Sequence, residues 1–333
     1  MNRRETVLAL LFLSGLARTL PLVAQERTEG HPFRIGFAVN LTPAGREATQ
    51  ELMGEFGWKY GRDYTFIESG VPYGPAIEEA ARRIVAEKPD LIFVATTAFA
   101  VAVQRLTSTI PIVMYTSGYP VAAGVALSLA RPGKNVTGST VYAGTGIWGK
   151  LLQLLSEVKP GVKRIGLLWD YLPPAFPREE IDFGLGELRD NVRSLGLATH
   201  IAEVTRPEQV TAALAALDSW RAEALLVTSG PVMFPEMSRI MKFAIGKRLP
   251  TITDSNWQYP VEPRPLLAYG PPISVLRRQA VGYIDKILRG AKPSELPIQQ
   301  PAKFELVVNM KTAKALGLTI PQSILLRADQ VIE

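Results

Sequence analysis

Short apolar runs alternate along the chain with stretches of helical periodicity. The clearest run lies in 90–99, where Leu-Ile-Phe-Val is followed by Ala95 and two threonines, Thr96 and Thr97. A short run without internal alternation predicts a parallel strand buried on both faces. The two hydroxyls then fall at its carboxyl end, the edge at which open α/β sheets bind ligands.

The same alternation fills the first half of the chain. We predict strands over 33–39, 64–68, 91–95, 110–115 and 136–140, separated by helices over 44–56, 76–87, 98–106 and 121–129. Apolar strands with short helices between them require right-handed βαβ crossovers. The pattern therefore predicts an α/β protein with a parallel sheet.

The pattern then restarts about 130 residues later. Arg164-Ile-Gly166 repeats Arg34-Ile-Gly36, and the run at 224–230 again ends in hydroxyls, as 91–97 does. Four matched elements in the same order favour two similar Rossmann-like lobes with facing strand ends. The alternative is chance similarity among ordinary βα units.

The tail does not form a third copy. It predicts a helix over 273–288, an extended segment over 296–301, a strand over 304–309 and a helix over 311–316. We expect the chain to cross between lobes near Tyr142, at 269–272 and at 301–304, giving a multi-strand hinge. The predicted domains are a signal peptide (1–24), lobe 1 (33–141 plus 271–301) and lobe 2 (142–270 plus 302–333).

The signal peptide is inferred from a basic start at Arg3 and Arg4, an apolar core at 7–16 that is too short to span a bilayer, and a small residue at Ala24. It predicts export to the periplasm by the Sec or the twin-arginine route. An uncleaved membrane anchor is the alternative. A lipid-bearing N-terminal cysteine is excluded, because the chain has no cysteine.

The composition narrows the function. The 333 residues suit two domains, and 47% hydrophobic with 20% charged residues suits a globular protein. The lack of cysteine removes thiolate chemistry, and two histidines argue against a histidine metal site or a Ser-His-Asp triad. Without residues 1–24 the formal charge of +6 becomes +4, and the basic residues are scattered. We therefore expect no nucleic-acid partner, metal, cofactor or catalytic residue, and no enzymatic activity.

The predicted strand ends nominate a ligand site. The Ala98 amide, with Thr96 and Thr97, is placed to hold a carboxylate at a helix N-terminus, and Asp254 to pair with an ammonium group. Helix capping by the threonines and a cap or solvated role for Asp254 are the alternatives. The other predicted ligand contacts lie at strand ends, at lobe crossings or in aromatic walls: Asn40, Thr116, Ser117, Tyr142, Trp169, Tyr171, Ser229 and Tyr269. For each aromatic residue, packing in the core or hinge is the alternative.

One motif points elsewhere. Gly144-Thr-Gly-Ile-Trp-Gly149 fits G-x-G-x-x-G, follows a strand and opens a helix, as a dinucleotide-binding fingerprint does. However, that fingerprint belongs at the first βα turn, and here it lies in mid-chain. We interpret it as the first crossing between lobes and keep an NAD(P)-dependent oxidoreductase as a remote alternative.

Several motifs resemble those of one bacterial family. They are Gly290-Ala-Lys-Pro-Ser-Glu-Leu-Pro297, Phe304-Glu-Leu-Val-Val-Asn309, Lys311-Thr-Ala-Lys-Ala-Leu-Gly-Leu-Thr-Ile-Pro321, Ala130-Arg-Pro-Gly-Lys-Asn-Val-Thr-Gly138 and Tyr269-Gly-Pro271. The chain is similar throughout to ABC transporter substrate-binding proteins that include tryptophan- and tyrosine-binding members. It departs from them at Ser117-Gly-Tyr-Pro120, where an Asp-Pro pair is common, and at Glu262-Pro-Arg-Pro265.

The resemblance implies the type I periplasmic binding protein fold. It also implies capture of a small solute, such as an amino acid or related carboxylate, and delivery to a membrane permease and its ATPase. We expect a monomer that closes about its hinge. A ligand-sensing subunit for a membrane receptor is the second interpretation.

Overall fold

Two β-sheets frame the molecule. A computed structural model describes residues 31–38, 43–68, 76–142, 144, 146–170, 178–230, 232–255 and 262–333, and it also leaves the side chains of Pro43, Ala44 and Ser117 undescribed. The predicted signal peptide, Asn40 and Tyr171 therefore lie outside the described residues. Within them, no helix has the length and apolar character needed to cross a membrane.

The first sheet has five parallel strands in the order β2-β1-β3-β4-β5. The strands are β1 (Phe33–Ala38), β2 (Tyr64–Glu68), β3 (Leu91–Val94), β4 (Ile112–Ser117) and β5 (Val136–Thr140). The helices that connect them are α1 (Pro43–Glu55), α2 (Ile77–Ala86) and α3 (Thr97–Gln104). Every residue of β3 is buried, as its unbroken apolar run predicts.

The second sheet has seven strands in the order β12-β11-β10-β9-β8-β6-β7, and only the β10–β11 pair is antiparallel. Its strands are β6 (Arg164–Asp170), β7 (Ala198–Val204), β8 (Ala224–Val227), β9 (Thr251–Thr253), β10 (Leu267–Gly270), β11 (Glu305–Asn309) and β12 (Gln330–Ile332). The helices of this half are α4 (Gly146–Val158), α5 (Arg178–Ser194), α6 (Val210–Ser219), α7 (Met233–Gly246), α9 (Met310–Leu316) and α10 (Gln322–Leu325).

One helix returns to the first sheet. After β10, α8 (Ile273–Leu288) packs against β4, β5 and α1, and Leu276, Ala280 and Ile284 are fully buried in that core. We call the five-stranded sheet with α1, α2, α3 and α8 lobe 1, and the seven-stranded sheet with the other helices lobe 2. The predicted α/β class with two mostly parallel sheets is confirmed, while the domain limits given above stay a prediction.

The two lobes share a pair of backbone contacts at the starts of their first strands, β1 and β6. The backbone N–H of Arg34 donates to Asp90 Oδ2 (2.7 Å), and the N–H of Asp90 donates back to the Arg34 carbonyl (2.9 Å). In lobe 2 the N–H of Arg164 donates to Glu223 Oε2 (2.9 Å), and the N–H of Glu223 donates to the Arg164 carbonyl (2.8 Å). An acidic residue thus fixes the start of the first strand of each lobe, β1 or β6, in line with the sequence repeat.

The helix predicted over 121–129 is wrong. The structure has turns there, because Gly124 adopts a φ of 69° and the chain reverses. The N–H groups of Val125 and Ala126 both donate to the Pro120 carbonyl instead of continuing a helix. Val125 and Ala126 are buried, and Ala123 and Leu129 pack on the same core, so that the apolar positions have the spacing of one helix face.

Gly138 shapes the loop that follows β4. Its φ is 131°, and a β-carbon at this position would stand 1.9 Å from the Met114 carbonyl oxygen. The β4–β5 register shifts between Met114 and Ser117, directly beside this close approach. Only glycine fits there, and the shift sets the path of residues 118 and 119 beyond the end of β4.

Candidate ligand-binding site

The threonines after β3 differ in their contacts. Thr96 caps α3, since its Oγ1 accepts a hydrogen bond from the Phe99 N–H (3.3 Å). Thr97 is 1% exposed, and its Oγ1 accepts from the Gly118 N–H (2.9 Å). Thr97 also forms a side-chain hydrogen bond with Glu180 of lobe 2. The capping alternative therefore describes Thr96, whereas Thr97 takes part in a contact between lobes.

The end of β4 lies beside this pair. Thr116 is partly exposed and its Oγ1 donates to the Ala95 carbonyl, which joins the ends of β3 and β4. Ser117 is the last residue of β4, and Ala98, in the first turn of α3, is fully buried. The predicted lobe 1 residues that the structure describes are thus gathered at one edge of the first sheet.

Glu180, on helix α5 of lobe 2, lies at this edge of the first sheet. Glu180 is 3% exposed, and its Oε1 accepts a hydrogen bond from the Tyr119 N–H (3.0 Å). Burial raises the pKa of Glu180 to about 7, although the hydrogen bonds from Tyr119 and Thr97 oppose this change. A carboxyl group of lobe 2 is therefore held by donors of lobe 1.

Tyr119 makes the reciprocal contact. Its ring centroid lies 4.7 Å from that of Tyr142 and 5.2 Å from that of Phe183 on α5. Its hydroxyl accepts from Trp148 Nε1 (3.0 Å) and lies 3.3 Å from Glu187 Oε2. Burial raises the pKa of the Tyr119 hydroxyl above its usual range. A lobe 1 side chain is thus bound on the surface of lobe 2.

Tyr142 joins the same cluster from the predicted first crossing. Its hydroxyl donates to Glu187 Oε1 (3.2 Å), and burial raises the pKa of Glu187. Phe183 is 45% exposed, so this aromatic cluster has an open side. The prediction that Tyr142 contacts ligand remains untested, but the residue does lie where the lobes meet.

Two carboxyl groups stand at the strand ends of lobe 2. Asp170, at the end of β6, accepts from the N–H groups of Val232 (2.8 Å) and Met233 (3.2 Å) at the start of α7. Burial raises the pKa of Asp170 to about 8, and the neighbouring charge of Asp254 adds to this effect. The carboxylate thus helps to satisfy the first N–H groups of α7.

Asp254 follows β9 and is only partly exposed. Its Oδ1 accepts from the Ser229 N–H (2.8 Å), and the Ser229 side chain also hydrogen-bonds to it. Burial raises the pKa of Asp254. The structure therefore brings together Ser229 and Asp254, which were predicted as one half of the site.

The other predicted aromatic residues pack against neighbours. Trp169 is 5% exposed in the lobe 2 core and lies 5.1 Å from Trp148, centroid to centroid. Tyr269, in β10, stacks on Phe304 at 5.5 Å. The core-packing alternative describes Trp169 well, although its ring edge and the Tyr119 ring both approach Gly184.

The glycine motif has a packing explanation. Gly146 begins α4, and a β-carbon on Gly149 would stand 2.5 Å from Asn191 Oδ1 of α5. Gly144 has a φ of 88°. Backbone conformation therefore favours glycine at 144, and the close approach of α4 to Asn191 of α5 favours it at 149.

The residues that the sequence reasoning missed lie on α5. Glu180, Phe183 and Glu187 recur at the spacing of one helix face, and all three meet lobe 1 or the crossing at Tyr142. The same spacing occurs on any amphipathic helix, whereas the predicted site residues lie at strand ends, at lobe crossings and in aromatic walls. Among the described residues, no group of three or more His, Asp and Glu side chains is arranged to hold a metal ion.

Comparison with known proteins decides the family. A family model for the ABC transporter substrate binding protein matches residues 74–332. The chain belongs to this family. The two-sheet fold and the interlobe contacts described above are therefore those of a member of this family.

Three relatives illustrate the likeness. The tyrosine-binding protein of Clostridioides difficile is 25% identical over 244 residues, covering 73% of this chain and 68% of the relative. The ABC domain from Streptococcus pneumonia, solved in complex with L-Trp, has a TM-score of 0.79 at 22% identity, covering 91% and 100% of the two chains. A leucine-binding protein from Thermotoga maritima has a TM-score of 0.54 at 15% identity, covering 77% and 83%. The structural matches support the predicted type I periplasmic binding protein fold.

Proposed function

We propose that this substrate-binding protein captures an amino acid between its two lobes and delivers it to an ABC importer. The observation that carries the proposal is the convergence of polar groups from both lobes. Thr97 and Tyr119 of lobe 1 meet Glu180 of lobe 2 at the carboxyl edge of the first sheet. The names of the tyrosine-binding and L-Trp-bound relatives support an amino acid as the solute.

The chemistry of the strand ends suits a zwitterion. On lobe 1, Thr96 and Thr97 stand at the N-terminus of α3, where N–H groups and the helix dipole favour a carboxylate. On lobe 2, Asp254 offers a carboxyl group to an ammonium. An aromatic solute would find further contact area at Tyr142 and Phe183, which leave one side of their cluster exposed.

The mechanism we infer is hinge closure. A solute that touches both lobes binds the closed arrangement more tightly than the open one, and only this difference in affinity shifts the equilibrium. The chain passes between the two sheets after β5 and after β10, and Gln299 pairs with Ser139 before β11 returns to lobe 2. Several parallel crossings would restrict the movement to a rotation about one axis.

A solute screen tests the proposal. The purified mature protein is mixed with the twenty amino acids, with small carboxylates and with NADH, and its unfolding temperature is measured. A solute at 100 times its Kd should stabilise the protein by about 2.7 kcal/mol. Hits are titrated calorimetrically, and small-angle scattering should show a smaller radius of gyration with solute. Stabilisation by NADH alone, or by no amino acid, would contradict the proposal.

The cellular assignment is part of the same proposal. We place the mature chain in the periplasm as a monomer, after removal of residues 1–24, with a permease and an ATPase as partners. The second function, sensing for a membrane receptor, uses the same site and differs only in the partner. Pull-down with the mature protein, with and without solute, should recover the permease complex if the protein serves import.

A further inference from the structure

Glu180 has one satisfied and one unsatisfied oxygen. Oε1 accepts the Tyr119 N–H at 3.0 Å, and Thr97 also hydrogen-bonds to the carboxyl group. Oε2 is buried and has no hydrogen-bond partner within the described residues. Because the whole side chain is 3% exposed, bulk water does not readily supply the missing partner.

Glu180 also has no ion-pair partner among the described residues. Across the described ranges, no Lys or Arg forms an ion pair with Glu180, and the groups that hold it are a backbone N–H and a hydroxyl. A buried carboxylate that is only partly hydrogen-bonded and has no counter-charge is costly. Such an arrangement is expected where a ligand brings the compensating charge.

Its position makes a bound ligand the natural source of that charge. Glu180 belongs to lobe 2, but its Oε1 is held by groups of lobe 1 at the ends of β3 and β4. The carboxyl group is therefore held where these strand ends meet, beside the N-terminus of α3. A group bound to it would contact lobe 2 only while lobe 1 is in the arrangement seen here.

We propose that Glu180 Oε2 accepts a hydrogen bond from the ammonium group of the solute, so that the solute neutralises this buried carboxylate. The inference rests on the proposed function, because it takes the solute to be an amino acid. It makes Glu180 a binding residue that favours cationic amines and disfavours acids of the same shape that lack nitrogen. The carboxylate end of the solute remains for Thr96 and the N-terminus of α3.

The assignment separates Glu180 from Asp254. The Asp254 carboxyl group already receives two hydrogen bonds from Ser229, and the residue as a whole is partly exposed. Glu180 is more deeply buried and has an unused acceptor. A single ammonium group should therefore depend more strongly on Glu180 than on Asp254.

The experiment compares probes that share a side chain but differ in whether they carry an ammonium group, a carboxylate or both. Calorimetric Kd values are measured for L-tyrosine, tyramine and 3-(4-hydroxyphenyl)propionate, and for the corresponding sets built on L-tryptophan and L-leucine. The proteins are the wild type, Glu180→Gln and the control Glu179→Gln. Glu179 is the preceding residue of α5 and is exposed, so its substitution changes the same net charge outside the site.

Glu180→Gln should weaken the binding of amine-bearing probes by at least tenfold and leave the nitrogen-free acids within about twofold of the wild type. Glu179→Gln should leave every Kd unchanged. Equal affinity of the wild type and Glu180→Gln for an amine-bearing probe would overturn the inference and leave the proposed function intact. If the wild type binds only nitrogen-free acids or none of the probes, both the inference about Glu180 and the proposed function are overturned.

A measurement on the wild type covers the case in which Glu180→Gln does not fold. Calorimetry at pH 7 in two buffers of different ionisation enthalpy counts the protons released on binding. An ammonium placed on Oε2 should release a fraction of a proton from Glu180, and a nitrogen-free acid should not. The other titratable groups near the strand ends are Tyr119, Tyr142 and Glu187, with Asp170 and Asp254 of lobe 2, whose pKa values burial also raises. The same count with Asp254→Asn should be unchanged if the proton comes from Glu180. Equal proton release with both probes would overturn the inference.

Discussion

A β-carbon on Gly118 would stand 2.8 Å from Glu180 Oε1, so a backbone of lobe 1 and a carboxyl group of lobe 2 are in direct contact. The φ of Gly118 is compatible with alanine, and the clash therefore falls on the contact alone. Gly118→Ala should displace Glu180 from the Tyr119 N–H or separate the lobes. Overpacking of this kind costs roughly 1 to 3 kcal/mol, and we expect the Kd for an amino acid to rise tenfold or more.

Titration calorimetry of Gly118→Ala checks this expectation. The control is Gly186→Ala on α5, where an added β-carbon meets nothing within 4 Å and should leave the Kd unchanged. A second change, Glu180→Asp in the Gly118→Ala background, shortens the side chain and should recover part of the affinity. An unchanged Kd for Gly118→Ala would show that this contact is absent from the bound form.

Tyr119→Phe tests the contact on the other side. The change removes the hydroxyl that accepts from Trp148 Nε1 and keeps the ring packing on Phe183. Loss of a hydrogen bond that leaves a buried donor unpaired costs about 1 to 2 kcal/mol, so the free energy of unfolding should fall by that amount. Urea denaturation measures it, with the exposed Tyr60→Phe as the control, which should change it by less than about 0.5 kcal/mol.

The buried acids predict a dependence of stability on pH. Burial raises the pKa of Glu180 to about 7 and that of Asp170 to about 8 in the folded protein. Between the unfolded values near 4 and these folded values, the folded protein binds more protons than the unfolded chain. The free energy of unfolding should therefore fall as the pH rises from 5 to 8 and then level off.

Urea denaturation at pH 5, 6, 7 and 8 follows this loss. Glu180→Gln removes one of these two carboxyl groups, so its free energy of unfolding should fall less with pH than that of the wild type. Between pH 5 and pH 8 the loss should be smaller by on the order of 2 kcal/mol. Glu179→Gln should keep the wild-type slope. A wild-type stability that rises over this range would contradict the folded-state protonation of both acids.

Asp254→Asn tests the ligand role predicted from the sequence. The amide oxygen can still accept the Ser229 N–H, so the free energy of unfolding of the empty protein should not fall. If Asp254 contacts an ammonium group, the Kd for an amino acid should rise by at least tenfold, although less than for Glu180→Gln. Calorimetric titration of both variants decides, and an unchanged Kd removes Asp254 from the site.

The fold was accessible from the sequence because its signals are local. Fully buried strands such as β3 need unbroken apolar runs, and the first strand of each lobe, β1 or β6, carries the same Arg-Ile-Gly pattern. The strand ends that carry Thr97 and Ser229 could be predicted as well, because each lies directly after such an apolar run. The turns at 121–129 were missed because Ala123, Val125, Ala126 and Leu129 have the spacing of one helix face, whereas the turn depends on the positive φ of Gly124.

The α5 contribution to the site was not accessible in this way. Glu180, Phe183 and Glu187 look like the polar and apolar positions of any amphipathic helix. Their significance depends on how closely lobe 1 approaches α5, and that distance is set by Gly118 and Gly184, whose added β-carbons would meet atoms at 2.8 and 2.9 Å. No short-range pattern records such an approach.

The mutual contact of Tyr119 and Glu180 restricts how the sequence of this protein can change during evolution. Each side chain is encoded in one lobe and held by the other, so the two segments cannot change independently. A substitution at 119 removes the ring that packs on Phe183 and holds the 119 N–H against Glu180, and a substitution on α5 alters the surface that receives the tyrosine ring. A change of solute specificity should therefore appear as paired substitutions in the 117–120 loop and on the 180–187 face of α5.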